Sequence, residues 1–144
     1  MNRLYKFWSL PRREKQAFCE GVILLLLSNV FVRTIAFRYI ERFLRSRWFD
    51  RAPLDHDHAD EIKLVNISVA RAANLLPWES LCLSRSIATF IMLRRRGIPA
   101  VLYAGVKFVE DFSLNAHAWV RTDCPVIEEG SENSAFTVVM KIGQ

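Results

Sequence analysis

The sequence predicts an α+β domain, with helices first and an antiparallel sheet after them. Three observations carry that prediction. From residue 11 to residue 96 apolar side chains recur at helical spacing. Past Gly97 the period changes, and β-branched and aromatic residues fill short runs separated by turn-length loops. Between the two halves, Pro77 to Pro99 reads as one buried, capped helix that would pack on the sheet.

Taken in order, residues 3–10 hold Leu4, Phe7 and Trp8 among basic residues, a short amphipathic start broken at Leu10-Pro11. A helix begins near Pro11, whose missing N–H costs nothing in a first turn, and runs to about Phe31. Its middle, Val22 to Leu27, is apolar all round, so the expectation is a helix packed inside the fold, with Cys19 in the core. A basic helix follows from Thr34 to Arg47. Phe37, Ile40, Phe43 and Leu44 lie on one face, and Arg38, Arg42 and Arg45 on the other. Residues 48–58 form the clearest break. Their Asp55-His56-Asp57-His58 cluster lacks the i, i+4 spacing of helical metal ligands and reads as a solvated linker, so neither metal nor cofactor is expected. Ala59 to Leu76 is another helix, with Ile62, Val65, Val69, Ala73 and Leu76 on its buried stripe.

The central helix has both ends marked. Ser80 is the candidate N-cap, Arg94, Arg95 and Arg96 complement the dipole in the last turn, and Gly97 followed by Pro99 ends it. Strands are then expected at Ala100–Phe108, Ala116–Thr122, Val126–Glu129 and Ala135–Ile142. Loops at Val109–Asn115 and Gly130–Ser134 and a turn at Asp123-Cys124-Pro125 separate them.

The chemistry sits where helix and sheet meet. Cys82 falls in the first turn of the central helix. A thiol placed there faces unpaired backbone amides and the positive end of the macrodipole, which favour the nucleophilic thiolate. His117 follows on a strand, with carboxylates just downstream. That chain order is the layout of papain-like and transglutaminase-like thiol catalysis, in which the base activates the nucleophile. A third group must hold the imidazole. A two-residue turn after the His117 strand puts Glu128 on the histidine's face, and a three-residue turn favours Glu129. Asp123 is the third candidate. Trp119, two residues past His117, shares its face and reads as core. Arg85 and Arg95 read as solvated charges, and Cys124 as a bystander in a turn.

The chain of 144 residues has a net charge of +5, concentrated early: residues 1–51 carry 11 Lys/Arg against 4 Asp/Glu. Such a basic half suits an acidic peptide, peripheral contact with a membrane surface, or nucleic acid, although a solvated helix face is the favoured reading. No nucleic-acid-binding signature accompanies it, so no nucleic acid is expected. Three cysteines with no signal peptide imply a reducing, cytoplasmic setting. The uncharged run Gly21–Val32 is 12 residues long, short of the ~20 that a spanning helix needs.

Several of these segments together resemble a known family. Trp78…Cys82-Leu83-Ser84-Arg85-Ser86, Leu93-Arg94-Arg95-Arg96-Gly97-Ile98, Gly105-Val106 and Ala116-His117-Ala118-Trp119-Val120 are similar to the leader peptidases of lasso-peptide biosynthesis. These belong to the transglutaminase-like cysteine-protease superfamily. Leu10-Pro11-Arg12-Arg13 and the leucine-rich helix after it are similar too. The resemblance implies a single domain over 1–144, with a basic helical part at 1–51 and a catalytic core at 59–144. It implies Cys82 as nucleophile, His117 as base and an acid on the following strand, at Glu129 by the family's spacing. Glutamate there is one methylene longer than the family's usual aspartate. The implied partners are a precursor peptide with its leader, a separate leader-recognition protein and an ATP-dependent lasso cyclase. The recognition protein is expected to be separate because residues 11–76 read as helices, leaving no room for a strand-rich recognition module.

Overall fold

A computed structural model describes residues 8–46, 52, 58–77, 82–109, 113–123 and 135–143. Among them are four helices, α1 (Arg12–Thr34), α2 (Phe37–Arg45), α3 (Ala59–Leu75) and α4 (Cys82–Arg95). Three strands follow, β1 (Ala100–Phe108), β2 (Leu114–Thr122) and β3 (Thr137–Ile142). The helices-then-sheet order is the α+β layout expected, and the sheet is antiparallel in the order β2-β1-β3. The central strand is thus the first in sequence. The last strand crosses to its far side, pairing Leu102 with Ile142 and Ala104 with Met140. The strand expected at Val126–Glu129, the N-cap at Ser80 and most of the Asp/His cluster lie outside the described residues.

The central helix is buried as its composition requires. Ile87, Phe90, Met92 and Leu93 pack with Ile62 and Val65 of α3 and with Leu102 and Ile142 of the sheet in one core. Its C-terminus closes with backbone bonds from Arg96 N–H to the Leu93 carbonyl at 3.0 Å, Gly97 N–H to the Arg94 carbonyl at 3.0 Å and Ile98 N–H to the Leu93 carbonyl at 3.1 Å. That reversal places Gly97 at φ +72°, a conformation a Cβ would disfavour, which is why glycine ends this helix.

Two expectations for α1 are corrected. The helix is buried on one side only: Ala17, Gly21, Leu25, Ser28 and Asn29 face α3 and α4, while Ile23, Leu26, Leu27, Val30 and Phe31 are exposed. Nothing among the described elements covers the second side, so an apolar composition all round does not produce burial all round. Cys19 is exposed rather than core, because it lies on that open side, in register with Ile23. With 23 residues, α1 is long and apolar enough by composition to cross a membrane, although 28% of its most apolar stretch is buried in the domain. Ion pairs staple its N-terminal half to its neighbours: Arg13 with Glu61, Glu14 with Arg71 at 3.3 Å, and Glu20 with Arg96 at 2.7 Å and with Arg95 at 3.1 Å.

Candidate active site

Cys82 is the first described residue of α4, a half-buried free thiol. The two turns that follow are fixed on two sides by serine hydroxyls. Ser84, fully buried, donates to Oδ1 of Asn29 on α1 at 3.2 Å. Ser86 donates to the carbonyl of Ala118 on β2 at 2.9 Å. Ser86 lies one turn after Cys82, so the two share a helix stripe and are ~6 Å apart along the axis. The cysteine end of the helix is thereby tied to the strand residue next to His117.

His117 is half-buried on β2, opposite Gly105 in the register. Its ring stacks on Trp119, with centroids 5.9 Å apart and planes 18° from parallel, and tilts against Phe136 at 5.3 Å. Trp119 in turn stacks on Tyr103 at 5.7 Å. This row needs the glycine: a Cβ on Gly105 would lie 3.0 Å from the Cβ of Phe136 and 3.1 Å from Cη2 of Trp119. Trp119 is buried, as expected, but in this aromatic row and not in the core around α4.

Alternation decides the side from which the base approaches. Leu102, Ala104 and Val120 turn toward α4, so Tyr103, His117 and Trp119 rise from the opposite face. Among the described strands β2 is an edge. A thiol–imidazole contact would therefore form around that edge, beside the Ser86–Ala118 bond. In this structure the thiol and the imidazole make no hydrogen bond to each other.

Glu129 and Glu128 lie outside the described residues. Asp123 follows the last residue of β2, six residues beyond His117, and is exposed. At ~3.3 Å per residue it stands ~20 Å along the strand, beyond the reach of any carboxylate that must orient the imidazole. Arg95 is exposed and paired with Glu20, so it is not a bare solvated charge. A small cavity of 130 Å³ opens beside the Ser86 contact, bordered by Asn66, Ala70, Thr89, Trp119 and Thr122. It has room for a few waters or one short side chain. The positioning roles of Ser86 and Gly105 were not read from the sequence, where both stood only as parts of similar segments. Phe136, after a loop, gave no signal at all.

The helix that carries Cys82 is tied by Ser86 to the strand that carries His117, on a three-stranded antiparallel sheet. The model of the transglutaminase-like superfamily matches residues 24–141. The chain belongs to that superfamily, whose fold usually carries cysteine-protease or transferase catalysis. Searches of the curated proteins and of the solved structures return no match.

Proposed function

We propose that the chain is a cysteine peptidase that removes the leader from a ribosomally made lasso-peptide precursor. The observation that carries this is the Ser86–Ala118 bond, which joins the helix that carries Cys82 to the strand that bears His117. Membership of the superfamily and the similar segments around both residues support it. The Cys82 thiolate attacks the carbonyl carbon at the leader–core bond, and the tetrahedral oxyanion accepts hydrogen bonds from the unpaired N–H groups of the first turn of α4. The imidazolium of His117 gives its proton to the leaving amine, and a thioester remains. Water, deprotonated by His117, hydrolyses it and restores the thiol. Glu129, or Glu128 beside it, holds the imidazole in the tautomer this needs. Because His117 rises from the face opposite α4, the mechanism requires peptide binding to bring the imidazole around the β2 edge to the thiol. The enzyme works in the cytoplasm with a separate leader-recognition protein, and passes the freed core to an ATP-dependent cyclase.

The test is cleavage of a synthetic leader–core peptide, with the recognition protein present, followed by mass spectrometry. Cys82→Ala and His117→Ala should each abolish cleavage while circular dichroism keeps the native spectrum. Normal cleavage by Cys82→Ala overturns the mechanism. A second reading, acyl or glutaminyl transfer, is favoured by the same superfamily membership. Adding a primary amine distinguishes it, since a product heavier by the amine less water shows the thioester passing to nitrogen.

A further inference from the structure

We propose that the open face of α1 and α2 rests on an anionic membrane surface. Five apolar side chains stand out along one stripe of α1, with Ile23 57% and Val30 58% exposed. Single exposed apolar residues are ordinary, but a contiguous stripe marks a contact surface. It continues onto α2, where Phe37, Tyr39 and Phe43 are 42%, 53% and 50% exposed. Between the helices the face dips into an apolar cavity of 360 Å³, floored by Ile87 and Ile91 of α4. That volume is within the range of ligand pockets and gives an acyl chain a place to enter.

The charges around the face select the occupant. From Gly21 to Ser46 the chain holds four arginines and one acidic residue. Arg33, Arg38, Arg42 and Arg45 are all exposed, and the one acid, Glu41, is already paired with Arg45 at 2.8 Å. Arg38 lies over the Tyr39 ring at 4.9 Å, an arginine–aromatic pair suited to the depth of lipid headgroups. A cationic rim around a broad apolar stripe complements lipid phosphates above acyl chains. The cavity's polar groups are few: the buried Ser28 hydroxyl and Arg95 are the chief polar members of a lining that is otherwise almost wholly apolar. The proposal does not depend on Cys82, so its failure and that of the peptidase reading are separable.

The test is co-sedimentation of the full chain with vesicles of phosphatidylcholine alone or mixed with phosphatidylglycerol. Binding should require the anionic lipid and weaken as salt rises. Ile23→Glu/Val30→Glu, at exposed positions, should reduce it by more than about tenfold. Arg38→Gln/Arg42→Gln should reduce it about fivefold per arginine. Three results overturn the proposal. The chain stays in solution with anionic vesicles; neither double variant alters binding; or the native chain sediments as a dimer that Ile23→Glu/Val30→Glu dissociates, which makes the face an interface between copies.

Discussion

Replacing Gly105 with alanine asks whether the aromatic row around His117 is as closely built as its contacts imply. The new Cβ would stand 3.0 Å from the Cβ of Phe136, 3.0 Å from the carbonyl oxygen of Thr137 and 3.1 Å from Cη2 of Trp119. All three distances are inside ordinary contact, and the carbonyl belongs to backbone that no rotamer change can move. Overpacking of this kind costs ~1–3 kcal/mol. Alanine also restricts the unfolded chain, which stabilises by ~0.4–1 kcal/mol. Gly105 does not have a positive φ, so backbone strain adds nothing. The steric effect is the larger, leaving a net loss of ~1–2 kcal/mol and a fall in Tm of ~3–7 °C for a domain of this size. The clash is relieved by moving Trp119 and Phe136, the two rings that flank His117, so turnover should fall while KM for the peptide stays near native. Thermal melts by circular dichroism and the peptide-cleavage assay read both effects. A native or higher Tm together with native turnover would refute the reasoning, because the row would then have room to spare.

Three further outcomes are expected. Ser86→Ala leaves the Ala118 carbonyl without its 2.9 Å donor and should cost ~1–2 kcal/mol in urea unfolding. It should also lower kcat more than it raises KM, since it loosens the cysteine helix from the histidine strand. Glu20→Gln removes the carboxylate that pairs with Arg95 and Arg96 from a side chain 21% exposed. It should cost ~1 kcal/mol at low salt, and urea midpoints at high salt should show a smaller difference from native. Iodoacetamide followed by peptide mapping compares Cys82 with exposed Cys19, a control in the same chain. On access alone half-buried Cys82 labels more slowly, so faster labelling of Cys82 marks an activated thiol, and slower labelling argues for an inert scaffold.

The elements were legible where local pattern carried them. Cys82 lies on a helix whose far end is set by Gly97, and Ala100–Phe108 is a strand over the expected span. Periodicity and capping are local properties, so they survive without tertiary information. The reading of α1 failed for the complementary reason. Val22 to Leu27 contains no polar residue to mark an outer face, and only the placement of α3 and α4 decides which of its apolar residues are covered. Cys19 was misplaced with it. Asp123 looked close to His117 in sequence, yet an unbroken strand carries it ~20 Å away.

From residue order alone came the α+β class, the helix that carries Cys82 in its first turn, the strand that holds His117 and the basic character of the first 51 residues. The elements follow from short-range spacing along one chain segment, and the charge from composition. The pairing of His117 with Gly105, the Phe136 and Trp119 rings beside it, the serine tie from α4 to Ala118 and the bare stripe of α1 came only with the packed chain. Each depends on contacts between residues tens of positions apart, set by strand register and by how helices share their faces. A one-residue shift of that register would turn His117 to the other side of the sheet without changing any local propensity.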